Sequence, residues 1–256
     1  MARRGEQWGQ MSAAGGLTGV VAAGVRDAVG LVLPVRCGGC AAPGAAWCPG
    51  CRRAARTPPP DVVVPAGGPA AWAATACAGP VRVLVTVHKD AGRADLRPEL
   101  AVLLAEAMHR ALATDPVLRT ARTRGGVLVV PVPTARRAGR RRGEDAVGAL
   151  ATDATARLGD PRVGCRRVLR HTRAVADQTG LGRAARAVNL AGSMGVRAAD
   201  LRIVEGAVCL LVDDVVTTGA TLAEAARAVR AAGARHVAAA VVAATPPTRA
   251  RPRSDQ

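Results

Sequence analysis

The 256-residue chain has neither phenylalanine nor tyrosine and only three tryptophans, so its core has to be packed from Val, Leu and Ala. That shortage speaks against recognition of nucleobases by stacking on an aromatic sheet. Lysine is almost absent as well: Lys89 is the single one, and the rest of the positive charge is arginine. No segment offers the roughly 20 unbroken apolar residues of a membrane-spanning helix, because Arg26 and Asp27 interrupt the nearest candidate, residues 17 to 33. Behind Met1-Ala2-Arg3-Arg4 there is no compact apolar stretch of a secretory leader, so the expectation is a cytoplasmic protein without membrane insertion. Neither Gly-x-Gly-x-x-Gly after a strand nor Gly-Lys-Ser/Thr occurs, which sets aside the dinucleotide-binding fold and the P-loop.

What is present is apolar material, 49% of the chain, enough for a sizeable core. The formal net charge of +17 favours polyanionic partners, either nucleic acid or a phosphate-rich ligand. A general preference for arginine across a genome accounts for the same charge without any partner. Charge alone does not choose among them.

The pattern along the chain divides it into five stretches. Residues 1–16 read as a flexible amino terminus. Leu17, Val20, Val21, Val25, Val29 and Leu33 form the stripe of an amphipathic helix, which Pro34 ends before a cysteine cluster; helix and cluster span 17–56. Thr57-Pro58-Pro59-Pro60 and Pro65-Ala66-Gly67-Gly68-Pro69 mark a linker over 57–75. The main domain is expected over 76–245, followed by a flexible tail, 246–256. Within it, Val81–Val87 reads as a strand, and Leu96, Leu100, Leu103, Leu104, Ala107 and Ala111 as one face of a helix. Strands follow at 127–132, 207–212 and 237–242, with Leu222, Ala226 and Val229 on a helix closed by Gly233. Strand, helix, strand in this order predicts an α/β fold with a parallel sheet flanked by helices.

The apolar run 208–212 ends in Asp213-Asp214. Val215, Thr217, Thr218, Gly219, Ala220 and Thr221 then lead into the helix. Backbone N–H groups, three hydroxyls and a positive helix end converge there, which suits a phosphate monoester, while the two carboxylates suit a ribose diol. Capping of a turn by one aspartate explains a part of this ordered set only. A second motif, Val130-Pro131-Val132-Pro133 with Thr134, Arg136 and Arg137, ends a strand in a constrained turn with two cations. It reads either as a seat for pyrophosphate or as an edge strand with a proline-rich exit.

Cys37-x-x-Cys40 and Cys48-x-x-Cys51 are two knuckles seven residues apart, the spacing of four thiolates around one tetrahedral structural zinc ion. Two disulfides are the alternative, which a reducing compartment opposes. Beside them, Arg36, Arg52, Arg53 and Arg56 offer a nucleic-acid contact, or the element simply staples the amino-terminal helix to the main domain.

The run from Leu210 to Thr221 closely resembles the signature of type I phosphoribosyltransferases. Together with the Cys-x-x-Cys pairs, His88-Lys89, the Val-Pro-Val-Pro turn, Arg142-Gly143, Gln178-x-Gly180-Leu181, Arg186 and Asn189, it makes residues 31 to 245 resemble the ComF family. The resemblance implies a type I phosphoribosyltransferase fold with an amino-terminal zinc ribbon. It implies phosphoribosyl pyrophosphate and Mg²⁺ as ligands, with Asp213 and Asp214 on the ribose, and transfer of phosphoribosyl to an acceptor with release of pyrophosphate. A lid built from Gln178, Gly180, Arg183 and Arg186 would close over the ligand. The family name implies a different class of function too: a DNA-uptake accessory factor that binds single-stranded DNA and transformation proteins. The chain departs from the family at three places. Glu144-Asp145-Ala146 stands where it has Phe-Asn-Gln, Ala138 where it has arginine, and Val175 where it has a lid threonine. These departures bear on turnover more than on ligand binding. Neither the acceptor nor the oligomeric state has a signal in the sequence.

Overall fold

A computed structural model describes residues 35–56, 62–134, 145–173 and 189–245. The expected stripe over 17–33, Arg136, Arg137, Arg142-Gly143, the lid residues Gln178, Gly180, Arg183 and Arg186, and both termini lie outside the described residues.

The fold is α/β. Helix α1 (Pro49–Ala55) belongs to the cysteine element and is followed by β1 (Ala71–Ala76), α2 (Gly79–Ala91), α3 (Arg97–Thr114), α4 (Pro116–Arg124) and β2 (Val127–Pro131). Then come α5 (Ala146–Leu158), β3 (Val163–Cys165), β4 (Leu169–His171), β5 (Met194–Val196), α6 (Leu201–Val204), β6 (Val208–Val216), α7 (Ala220–Ala231) and β7 (His236–Ala244). Five strands form one parallel sheet in the order β1-β7-β6-β2-β3, and β4 pairs with β5 in a separate antiparallel hairpin.

The continuous apolar runs of β6 and β7 follow from burial on both faces, as a parallel sheet covered by helices requires. In β6 the side chains alternate between two cores. Val208, Leu210 and Val212 face the core that includes α3 and α5, whereas Cys209 and Leu211 face the one that includes α7. Burial pushes the Cys209 thiol up to about 12, so it behaves as a small apolar residue. With no Phe or Tyr to fill space, β7 presents Ala238 and Ala240 to the α3 side, and α3 answers with Leu100, Leu104, Ala107, Met108 and Ala111 at helical spacing.

Two expectations are corrected. Residues 81–87 are not a strand but part of α2. Their Val-Arg-Val-Leu-Val-Thr-Val alternation imitates a strand, yet Val81, Leu84, Val85 and His88 are the buried positions, while Val83 is 42% exposed. Pro80 in the first turn and Gly92, in the left-handed conformation at φ +66°, close that helix at its two ends. Residues 71–75, expected to be linker, are the edge strand β1. Its Ala-Trp-Ala-Ala-Thr-Ala composition carries little strand propensity, and its place comes from pairing with β7 in register Ala71↔Ala239. Gly233 does close α7, with φ +91° and bonds from Gly233 N–H to the Arg230 carbonyl and from Ala234 N–H to that of Val229.

The cysteine element packs directly on the sheet domain. Cys37, Trp47, Cys51 and Ala55 join the same core as Val81, Leu84 and Leu96, and a Cβ on Gly38 would lie 2.7 Å from Leu96 Cδ1. Arg52 pairs with Glu99 of α3, and the Thr75 hydroxyl donates to the Ala55 carbonyl at 2.9 Å. Among the described residues, no helix is long and apolar enough to cross a membrane.

Candidate functional site

Strand β6 runs past its apolar stretch and carries Asp213 and Asp214, both nearly buried, at its carboxyl end. Each carboxylate folds onto the chain: Asp214 N–H donates to Asp213 Oδ1 and Val215 N–H to Asp214 Oδ1, both at 2.8 Å. The alternation along β6 gives Asp214 the parity of Leu210 and Val212, the face that α2 also covers. There Lys89, in the last turn of α2, donates to it with Nζ 3.0 Å from Oδ2 and 3.3 Å from Oδ1. Burial, then the charge of Asp214, pushes Asp213 up to about 8, against the pull of Lys89 and of the Asp214 N–H. Two carboxyl groups held this way can exchange hydrogen bonds with hydroxyls, and Asp213 gains charge when a cation draws its value down.

Thr217, Thr218 and Gly219 turn the chain from β6 into α7. Gly219 is the N-cap of α7 at φ +80° and brings no side chain to the helix end, where Ala220 N–H donates to Thr218 Oγ1 at 3.4 Å. Thr221 stands in that first turn, half-buried like Thr218 and Ala220, while Thr217 is exposed. This is the arrangement in which a helix amino end takes an anion.

The second motif lies beside the first. Pro131 is in register with Val212, and Val132 N–H donates to the Val212 carbonyl at 2.9 Å, so the exit through Pro133 and Thr134 runs next to Asp213. The two turns expected to hold the two ends of one ligand therefore share the carboxyl edge of adjacent strands.

Three residues near these turns carried no spacing signal in the sequence. Pro65, from the proline-glycine stretch read as flexible linker, is buried against Gly219. Its segment is held by two hydrogen bonds between Val63 and Ala71 and by a turn from Gly68 N–H to the Pro65 carbonyl. His171 contacts the Pro133 carbonyl through Nε2 at 3.1 Å. Glu224, nearly buried on α7, accepts from Met194 N–H at 2.9 Å and from Arg227 at 2.7 and 2.8 Å. Burial opposes its ionisation, but those bonds more than offset it and hold the carboxyl below its usual range. Only Pro65 had a readable cue, as one of two prolines bracketing a turn.

The sulfurs of Cys37, Cys40, Cys48 and Cys51 all lie within 4.8 Å of one another. The Cys40–Cys48 separation of 3.7 Å is far beyond a disulfide bond of about 2 Å, and it equals the sulfur–sulfur edge of about 3.8 Å set by a tetrahedron of zinc–thiolate bonds. Cys37 Sγ accepts from Gly39 and Cys48 N–H groups at 3.4 and 3.3 Å, and Cys48 Sγ from Cys51 N–H at 3.4 Å. Burial works to raise Cys37, but the N–H bonds of Cys48, Cys40 and Gly39 outweigh it and bring the thiol down to about 6. Burial and the crowding of the other sulfurs push Cys51 up. A Cβ on Gly39 would come 2.8 Å from Cys51 Sγ, so the tight knuckle needs glycine there. The donor set fits one thiophilic metal ion with no position left open.

Residues 145–256 match the phosphoribosyl transferase domain family. That span contains the entire loop from Asp213 to Thr221, while the turn at 130–134, Lys89 and the cysteines lie before it. Among solved structures, the chain is similar to one described as the allosteric regulatory enzyme of purine biosynthesis. The identity is 19% and the TM-score 0.31, over 57% of this chain and 25% of that one. No curated protein matches the chain.

Proposed function

We propose that the protein binds phosphoribosyl pyrophosphate with Mg²⁺ and transfers the phosphoribosyl group to an acceptor, releasing pyrophosphate. One observation carries this reading: the nearly buried Asp213-Asp214 pair runs into a helix start whose N-cap is Gly219, beside the Pro133-Thr134 exit of the neighbouring strand. The N–H groups at the start of α7, with Thr217, Thr218 and Thr221, take the 5′-phosphate. Asp213 and Asp214 accept hydrogen bonds from the ribose hydroxyls. The turn at Pro133 and Thr134 seats the pyrophosphate, with Arg136 and Arg137 following it in sequence. When bound, Mg²⁺ screens the charge of the leaving pyrophosphate. As the bond from the ribose anomeric carbon to pyrophosphate breaks and that to the acceptor forms, positive charge grows on the ring. The two carboxylates are placed to stabilise it. Gln178, Gly180, Arg183 and Arg186 complete this reading as the lid that shields the reaction from water.

The cysteine element is proposed as a structural zinc ribbon held by Cys37, Cys40, Cys48 and Cys51, a thiolate site suited to the reducing cytoplasm. Its packing on Leu84 and Leu96 favours the staple over a nucleic-acid contact. With the amino-terminal ribbon and the Asp-Asp loop in one chain, membership of the ComF family is the reading that unites both parts.

Titration calorimetry with phosphoribosyl pyrophosphate and Mg²⁺ tests the proposal: binding that Asp213→Asn with Asp214→Asn abolishes is expected, and no heat at millimolar ligand would overturn it. The DNA-uptake reading, with single-stranded DNA and transformation proteins as partners, is supported by the net charge of +17. The same double variant separates the two, because it leaves affinity for single-stranded DNA intact or raised.

A further inference from the structure

The hairpin β4–β5 stands apart from the main sheet, yet its bonds reach toward both ligand turns. His171 and Met194 face each other across the antiparallel pair. On one side, His171 Nε2 meets the Pro133 carbonyl at 3.1 Å; with its proton on Nε2, the imidazole donates that bond. On the other side, Met194 N–H donates to Glu224 Oε1 at 2.9 Å, and the Met194 carbonyl accepts from Arg227 Nη2 at 2.9 Å. Arg227 grips the Glu224 carboxylate through two further bonds, so the pair on α7 satisfies the peptide groups of Met194 much as a neighbouring strand would. Glu224 lies one turn past Thr221, on the helix whose amino end forms the phosphate loop.

An unbroken path thus runs from the α7 helix through Glu224 and Met194 to His171 and the Pro133 carbonyl. Apolar packing would hold a hairpin on a helix at least as well, since buried charged groups return little net stability after desolvation. What directed bonds supply instead is a fixed distance and orientation. Losing Glu224 leaves the buried Met194 N–H unsatisfied, and losing His171 frees the half-buried Pro133 carbonyl, so each end of the path depends on a single directed contact.

Building on the phosphoribosyl pyrophosphate reading above, we propose that His171 and Glu224 are positioning residues. They form a bracket that couples the pyrophosphate turn to the phosphate loop, so that filling one turn raises affinity at the other. The bracket ties the leaving-group end of the ligand to its 5′ end, and only a ligand spanning both turns draws on the coupling.

The test is calorimetric titration of the full chain with inorganic pyrophosphate and Mg²⁺, with and without ribose 5-phosphate. In the wild type, ribose 5-phosphate tightens pyrophosphate binding by at least about fivefold, the lower range of ordinary coupling between sites. His171→Ala brings that ratio to about one while ribose 5-phosphate alone binds as before. His171→Gln, whose amide nitrogen reaches the place of Nε2, restores the ratio, a rescue that a merely structural role would not select. Glu224→Gln keeps an oxygen for Met194 N–H but gives up the ion pair with Arg227, and it lowers the ratio from the other end. Circular dichroism establishes that each variant is folded. A wild-type ratio of one, or an unchanged ratio in folded His171→Ala, overturns the bracket. Failure of the wild type to bind ribose 5-phosphate at all overturns the functional reading, and the bracket with it.

Discussion

A Cβ added to Gly219 would lie 2.0 Å from the Cβ of Pro65 and 2.6 Å from its Cγ, while the glycine itself sits at φ +80°. The segment that joins the cysteine element to the sheet therefore rests directly on the turn proposed to hold the phosphate. Two separate penalties meet at this position. A side chain in the left-handed region costs on the order of 1–2 kcal/mol, and the collision with a buried proline ring adds to it.

Gly219→Ala is accordingly expected to lower the melting temperature by several degrees and to weaken ribose 5-phosphate binding about tenfold or more, as 1.4 kcal/mol corresponds to a factor of ten. Combining it with Pro65→Gly removes the collision but not the backbone strain. The double variant should thus recover part of the stability lost by Gly219→Ala alone. Thermal denaturation and calorimetry on the four proteins of this cycle measure both effects. Equal stability of Gly219→Ala with and without the proline would show that the contact is not felt.

Much of the fold is legible in the sequence where burial on both sides writes continuous apolar runs, as in β2, β6 and β7, or where a stripe recurs at helical spacing, as in α3 and α7. Legibility fails where local pattern and tertiary partner disagree. The alternation from Val81 to Val87 imitates a strand, but a helix buries Val81, Leu84, Val85 and His88 on one side. In β1, the four alanines outweigh the strand preference of Trp72 and Thr75, and pairing with the edge of β7 makes the segment a strand. The Asp-Asp loop is readable because its parts are contiguous. His171, Glu224 and Pro65 are not, since each comes to the site from a different element and meets its partner only after the chain has folded. Lys89 is intermediate: its side chain reaches Asp214 from a helix that the alternation concealed.

Replacement of Lys89 by methionine tests that reach. Its side chain is 47% exposed, so the ion pair contributes little to folding, about 0.5 kcal/mol or less. The larger effect is on Asp213, whose raised value Lys89 pulls down. In Lys89→Met, binding of phosphoribosyl pyrophosphate with Mg²⁺ should need a higher pH than in the wild type. The stability at neutral pH should change by no more than about 1–2 °C. A pH series of binding constants for the two proteins checks the shift; superimposable profiles would exclude it.

Removal of metal probes the cysteine element. The full chain should carry one zinc per molecule by native mass spectrometry. A strong chelator should then lower its melting temperature by on the order of 10 °C, because the bound ion supplies most of the folding energy of so small an element. Cys37, Trp47 and Cys51 line the same core as Leu84 and Leu96, so loosening the element exposes part of α2 and α3 as well. Cys40→Ser, at the exposed ligand, should weaken zinc retention with less loss of packing than Cys51→Ser, at a buried one. Metal content and melting curves for both variants decide it.

The pH dependence of stability singles out Asp213. Its folded-state value lies well above that of an unfolded aspartate, pushed up to about 8 by burial and by Asp214. A raised carboxyl favours the folded state in its protonated form. Its contribution is complete below the unfolded value near 3.9 and is lost as pH rises through the folded one. Between these limits the wild type should therefore lose stability from this group as pH increases. Asp213→Asn is neutral at every pH and nearly isosteric, so it escapes that loss. The variant is expected to melt above the wild type at pH 8 and higher, with the advantage fading towards pH 4. The same change removes one carboxylate from the proposed ribose site, so the stabilised variant should bind phosphoribosyl pyrophosphate poorly, as expected where a group costly to the fold is kept for function. Melting curves from pH 4 to 9 measure the stability effect. An advantage that grows towards low pH instead would mean that Asp213 is ionised and stabilised in the fold, with its partner cation nearer than Lys89 brings it.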